Sequence, residues 1–329
     1  MPRPLLTVLT TPVPGGARHA YQALRSAVRP FVKPNVPLPA MSAYPGHYSV
    51  TRSVVEGLRA IDADFNFNPS RFADVGSIVY APANEALRQA IEMKRDGRIR
   101  WLAAGPTNAL LPQEADGIIQ APEIDRLIIA SEWVRELYAS APRLLPKLRV
   151  CAAGIDAMYW RPTGQPRQSR VVVYWKSGDE QFCAAVEETV RRTGCEPVRV
   201  RSAAGARTMF TPEQFRADLD TASAAVFLSA FETQGIALGE AWAMDVPTLV
   251  WDPQGPAEWR GHVFASRSSA PYLTAATGQT WTTLSAMTPA LAGMLRDRAR
   301  FAPRAWVLAH MTDAICAGAL YDILTRDRE

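Results

Sequence analysis

Glu232 and Glu240 stand eight positions apart and bracket the run Thr233-Gln-Gly-Ile-Ala-Leu-Gly239. If a helix starts after Gly235, the N–H groups of Gly235 to Ala237 lie at its N-terminus. Unpaired donors and the positive end of the helix dipole then favour a phosphate there. A carboxylate repels phosphate, so Glu232 is suited instead to accepting hydrogen bonds from sugar hydroxyls. One site for phosphate and hydroxyls together fits a nucleotide-sugar. Lys176 is one of only four lysines among 36 basic residues and follows the apolar run Arg170-Val-Val-Val-Tyr-Trp175. Its compact ammonium can neutralise a leaving diphosphate as charge develops, with Ser177 beside it as a donor-binding hydroxyl. His47, in Gly46-His47-Tyr48-Ser49 after a Pro-rich stretch, is a candidate partner for the donor sugar or acceptor. Gly15, Gly16, Gly46, Gly105 and Asn108 are candidates for lining the crevice, where glycine permits close backbone approach.

These residues need elements that bring them together. Ala224-Ala-Val-Phe-Leu-Ser229 reads as a buried strand, Ile236 to Met244 as a helix, and Asp245 to Trp251 as a turn into the next strand. Strand, Gly-containing loop, helix and strand form a parallel βαβ step, whose ligands bind beyond the carboxyl ends of the strands. The pattern recurs. Strands are expected at 5–9, 77–80, 99–102, 126–130 and 148–151, with helices at 17–28, 50–60, 84–95 and 131–140. Residues 30–45 are an extended loop rich in proline. A second alternation begins at Arg170, with helices near 179–193 and 212–221, a strand at 197–200, and a last helix from Arg304 to Leu324. Two alternations imply two doubly wound α/β domains. The same nine residues from Glu232 to Glu240 also fit an amphipathic core helix with one capping and one solvated carboxylate.

With 329 residues, 48% hydrophobic and 21% charged, the chain has the make-up of a globular protein with room for two cores. Its N-terminus does not read as a secretory signal, and no apolar run reaches membrane-spanning length. Cys151, Cys183, Cys195 and Cys316 have neither metal-ligand nor disulfide-scaffold spacing, so a cytoplasmic setting is expected. Arginine dominance with abundant alanine and proline points to a GC-rich, bacterial or phage genome. The net charge of +4 lies in residues 1–160, with 18 basic against 14 acidic side chains. That bias suits peripheral contact with an anionic inner-membrane surface or an anionic acceptor. No basic tract with interleaved aromatics argues for nucleic acid. Asp62-Ala-Asp64 has a metal-binding form but recurs as Asp218-Leu-Asp220, and no His/Asp/Glu cluster supports it, so no metal is expected.

The Glu232-to-Glu240 spacing resembles the Glu-x7-Glu motif of retaining GT-B glycosyltransferases of the family 4-like group. Asp125-Arg-Leu-Ile-Ile-Ala-Ser131-Glu-Trp133, Gly154-Ile-Asp156 and Trp160-Arg-Pro162 resemble that group's end of its first domain. The resemblance implies an α/β GT-B fold, with two Rossmann-like doubly wound domains facing across a cleft. It implies an acceptor-side domain over 1–162, a nucleotide-sugar domain over 163–303, and a helix over 304–329 returning to the first. It carries donor-sugar and diphosphate contacts onto Glu232, Gln234, Gly235, Ile236, Ala237 and Leu238, and the ribose contact onto Glu240. The activity implied is metal-independent transfer of a hexosyl or related group, without a cofactor, from a nucleotide-diphosphate-sugar to an acceptor the sequence does not identify. Tyr174-Trp-Lys176-Ser-Gly178 lacks the arginine usual in that loop. A nucleotide-sugar epimerase and a non-catalytic nucleotide-sugar or glycan binder are the alternatives. Donor turnover separates the three: a transferase consumes donor only with an acceptor, an epimerase without one, and a binder not at all. Oligomeric state is not encoded in any visible motif.

Overall fold

The structure, a computed structural model, describes residues 5–14, 47–202 and 210–327. The chain forms two compact units. One comprises Met1–Ala130, Leu137–Cys151 and Cys316–Glu329; the other comprises Ser131–Glu136 and Ala152–Ile315. Gly15, Gly16, Gly46 and the expected helix at 17–28 lie outside the described residues, as does the Pro-rich stretch 30–45.

The first unit is built on β1 (Leu6–Val8), β2 (Phe65–Phe67), β3 (Ile78–Ala81), β4 (Trp101–Ala104), β5 (Arg126–Ile129) and β6 (Leu148–Val150). They pair in parallel in the order β2-β1-β3-β4-β5-β6. Strands buried on both faces read as continuous apolar runs, and β3 and β5 are buried at every position. Helix α1 (Tyr48–Ala60) turns Val54 and Leu58 onto Leu6, Val8, Ile78, Tyr80 and Ile128, a core that also takes in Ala317, Leu320 and Leu324. Helix α2 (Asn84–Arg95) buries Leu87, Ala90 and Ile91 at helical spacing.

The second unit carries β7 (Arg170–Trp175), β8 (Glu196–Arg201), β9 (Ala224–Leu228), β10 (Thr248–Trp251) and β13 (Gly278–Trp281), parallel in the order β13-β10-β9-β7-β8. A short antiparallel hairpin, β11 (Ala257–Trp259) and β12 (His262–Phe264), interrupts the alternation. The helices of this unit are α3 (Glu180–Arg192), α4 (Pro212–Thr221), α5 (Ile236–Ala243), α6 (Leu284–Arg296) and α7 (Pro303–His310), while the last helix, α8 (Asp313–Thr325), belongs to the first unit from Cys316 onward. Three begin on a side-chain cap: Asp179 accepts from Phe182 N–H, Thr211 from Gln214 and Thr283 from Ala286. Met287, Leu291 and Met294 of α6 pack with Val186 and Val190 of α3 on Val171, Val173, Val226 and Leu249.

Two expected helices differ. Residues 131–140 form a 3-10 segment, Glu132–Tyr138, that begins with a tight turn from Val134 N–H to the Ser131 carbonyl. Tertiary bonds from Ser131 and Trp133 override the helical pattern there. The stretch from Arg304 to Leu324 is two helices, α7 and α8. Ile155 N–H bonds the Met311 carbonyl at 2.8 Å, and Ile155 bridges Thr312, so the break is stabilised from a distant segment.

Candidate active site

The chain enters the second sheet at β7, steps to β8 on one side, then returns to β9 on the other. Strand order therefore reverses between β7 and β9, and ligands of open α/β sheets bind in the crevice beyond the strand ends at such a point. Lys176 follows β7 and Glu232 follows β9 by four residues. Lys176 Nζ donates to both Glu232 carboxylate oxygens at 2.8 Å. Ser229 Oγ, buried, donates to Glu232 Oε1 at 2.6 Å. The Glu232 side chain is 15% exposed and that of Lys176 30%, so the pair is partly shielded yet open to solvent.

The backbone around Glu232 is fixed from several directions. Its N–H donates to the Ser268 carbonyl at 2.8 Å, and its carbonyl accepts from Trp133 Nε1 at 2.8 Å. Ser131 Oγ donates to the Thr233 carbonyl. The Phe231 ring lies edge-on between Trp133 and Trp259, with centroids 6.1 and 5.8 Å away. Ser177 joins the two strand-end loops: its hydroxyl accepts from Ala230 N–H at 3.0 Å, while the N–H groups of Lys176 and Ser177 both reach the Leu228 carbonyl.

Gly235 takes the left-handed conformation, φ 82° and ψ 60°, as the N-cap of α5. A Cβ there would approach Leu238 Cδ1 to 2.8 Å and displace the end of that side chain, but it is the left-handed backbone that calls for glycine. The Gly235 carbonyl accepts from Leu238 and Gly239. No side chain caps the helix, and the N–H groups of Ile236 and Ala237 point outward from its first turn without an acceptor among the described residues. The far end is closed. Arg304 Nη1 bonds the Ala243 carbonyl at 2.6 Å, Arg167 Nη2 bonds that of Met244 at 2.6 Å, and Arg298 bonds that of Asp245.

Gln234 is used differently from the donor contact that resemblance implies. It is buried, and its amide pairs both ways with Ala153: Nε2 donates to the carbonyl at 2.6 Å and Oε1 accepts from the N–H at 2.8 Å. Leu238 is also buried, while Ile236, Ala237 and Glu240 are half-buried. Glu240 lies on α5 one helical repeat beyond the open turn. Burial raises the Tyr174 phenol, opposed by a hydrogen bond with Ser202 and reinforced by the charges of Glu232 and Glu240. Both carboxylates therefore act on one buried ring, which stacks on Phe227 at 4.8 Å. Burial also raises Tyr159, with Glu213 and Glu240 adding to it.

In the first unit, His47 is exposed and stands before α1, its carbonyl accepting from Thr51 N–H at 3.0 Å. Gly105 ends β4 with φ 88°, and a Cβ would sit 2.0 Å from the Ile128 carbonyl oxygen, so close packing on β5 dictates glycine. Asn108 is buried and spans the turn, accepting from Gly105 N–H at 2.5 Å and donating to Asn84 Oδ1 at 3.1 Å. Both are engaged in building the turn. Asp64 accepts from Leu5 N–H and Asp220 from Thr163 N–H, so each Asp-x-Asp pair has a carboxylate committed to a sequence-distant backbone N–H. Among the described residues no three His, Cys, Asp or Glu side chains gather as metal ligands, and no helix is long and apolar enough to cross a membrane.

Sequence reasoning grouped Lys176, Ser177, Glu232, Gly235 and Glu240. The structure sets the first two directly after β7, Glu232 after β9, and Gly235 and Glu240 at and within α5. The same reasoning gave no separate role to Ser229 or Trp133. Ser229 is three residues ahead of Glu232 at the strand exit, a spacing that could have flagged it. Trp133 lies 99 positions away and carried no local signal.

No protein-family model matches the sequence, and comparison with curated proteins gives no significant match. Solved structures do match. HepE from Anabaena, in complex with UDP and glucose, superposes with a TM-score of 0.58 at 11% identity, covering 98% of this chain and 99% of that one. The lipopolysaccharide outer core galactosyltransferase WaaB, in its apo form, gives 0.53 at 11% identity, covering 97% and 98%. Sucrose-phosphate synthase from Thermosynechococcus elongatus gives 0.50 at 14%, covering 98% and 99%. At these identities the likeness is one of fold, and the fold is that of the GT-B glycosyltransferases: two Rossmann-like α/β units, each on a parallel sheet.

Proposed function

We propose that this protein is a retaining glycosyltransferase of the family 4-like kind, which moves a sugar from a nucleotide-diphosphate donor to an acceptor hydroxyl. The observation that carries the reading is the Lys176–Glu232 pair at the strand-order reversal of the second sheet, beside the open first turn of α5. The fold shared with glycosyltransferases, and the UDP and glucose bound by one structural neighbour, support it.

In this reading α5 receives a phosphate at Gly235–Ala237, Glu240 holds the ribose, and Glu232 accepts from sugar hydroxyls. An ammonium has three N–H donors, and Glu232 takes two from Lys176, leaving one for the diphosphate. As the sugar C1–O bond breaks, its electron pair passes to the leaving phosphate oxygen, where Lys176 stabilises it. The acceptor oxygen bonds C1 on the same face, and its proton goes to the leaving phosphate. Glu232 orients the sugar and does not attack it. The acceptor is assigned to the first unit, with His47 a candidate contact, and no cofactor is needed.

The test is nucleotide release from a panel of nucleotide-sugars. Release only when an acceptor is present supports transfer. Release or isomerisation without one points to an epimerase, and binding without turnover points to a non-catalytic nucleotide-sugar binder. Activity is expected to persist in excess EDTA, since Lys176 and α5 supply the positive charge; loss restored by Mg²⁺ or Mn²⁺ would overturn that assignment.

A further inference from the structure

We propose that Arg201 is the second cation of the donor site and contacts its diphosphate from the carboxyl end of β8, an inference that rests on the nucleotide-sugar reading above. The loop after β7, Lys176-Ser-Gly-Asp179, contains one cation, and Glu232 already shares its charge. The helix that follows offers a phosphate little. Asp179 caps α3 with its own carboxylate, accepting from Phe182 N–H at 2.7 Å, and Glu180 adds a second negative charge in the first turn. A diphosphate at this loop therefore needs another positive side chain.

Arg201 is placed to supply it. In the β7–β8 pairing it stands directly across from Trp175, the residue before Lys176, and Ser202 N–H closes the ladder on the Trp175 carbonyl at 2.8 Å. Its guanidinium lies over the Trp175 ring, 4.6 Å from the centroid. The same indole donates to the Gly178 carbonyl at 3.1 Å, so the ring ties Arg201 to the loop carrying Lys176. Stacking restricts the guanidinium plane while leaving its N–H edge available, which lowers the entropy lost on binding an anion.

The neighbouring arginine shows the contrast. Arg199, two residues earlier on the same face, is committed to Glu187 and Glu180. Arg201 is exposed and has no carboxylate within ion-pair distance among the described residues. A stacked, unneutralised arginine beside a strand-end loop suits a phosphate that arrives with the ligand.

The experiment is calorimetric titration of UDP, GDP, ADP and dTDP, and of the parent nucleosides, into wild type, Arg201→Gln and Arg201→Lys. Thermal melts confirm folding. For the diphosphate that binds wild type, Arg201→Gln is expected to weaken affinity about tenfold and to reduce its salt dependence. Arg201→Lys should fall between, and the nucleoside should bind all three proteins alike. Unchanged diphosphate affinity in folded Arg201→Gln overturns the role of Arg201 and leaves the donor reading standing. An equal loss for the nucleoside overturns the phosphate assignment. If no diphosphate binds wild type, the donor reading and this proposal fall together.

Discussion

Lys176 and Glu232, 56 residues apart in sequence, form a two-point ion pair that joins the ends of the adjacent strands β7 and β9. The pair holds the carboxylate aimed, with Ser229 bonding one of its oxygens. It also holds the ammonium where strand order reverses. In the proposed reading, each of these two donor-site side chains is thereby kept in place by the other.

Glu232→Gln keeps size but replaces one acceptor oxygen with an N–H₂ donor, which cannot pair with the ammonium. Turnover is expected to fall by about tenfold or more, because the lost contact tightens toward the transition state. Nucleotide affinity should barely change. Full turnover with collapsed nucleotide affinity would reverse the roles given to Glu232 and Glu240.

Glu240→Ala is expected to weaken nucleotide-sugar and free nucleotide alike. A hydrogen bond to a charged group contributes ~1.5–3 kcal/mol, so affinity should drop about ten- to a hundredfold. Titration of the folded variant decides: undiminished nucleotide binding removes Glu240 from the site.

Gln234→Leu should damage stability more than ligand binding. It leaves the Ala153 N–H and carbonyl without their buried partner, at a cost of roughly 1–3 kcal/mol for each group. A lowered melting temperature with near-normal nucleotide affinity is the expected result. An unchanged melting temperature with lost affinity would return Gln234 to the donor.

Asp327 receives hydrogen bonds from Arg149 and Arg126, which hold its carboxyl well below the usual range. A depressed folded-state pKa adds stability above the unfolded value, near 4, which is lost as pH falls through the folded value. Asp327→Asn should therefore lower the melting temperature at pH 7. The gap from wild type should shrink as the medium is made strongly acidic. A gap that is independent of pH would show that charge is not what this contact contributes.

Much of the fold was legible because parallel strands buried on both faces leave uninterrupted apolar runs, as at Arg170–Trp175 and Ala224–Leu228. Gly235 and the two carboxylates were legible because their spacing is local. The use of Gln234 was not, since its partner Ala153 is 81 residues away. The break between α7 and α8 has the same origin, a bond from Ile155 that no helical pattern records. The β11–β12 hairpin escaped notice because three-residue strands are too short to show alternation.

Arg167, Arg298 and Arg304 grip the carbonyl end of α5 from three separate stretches of chain. An eight-residue helix is about 12 Å long, so guanidiniums at one end set where the donors at the other end point. The alignment is settled when the protein folds, not when a ligand arrives, and association need not bear that ordering cost. Substitutions near Gly235 can then redirect ligand preference against a fixed backdrop. Substitutions at the three arginines would blur every preference at once, though none of them faces the open turn.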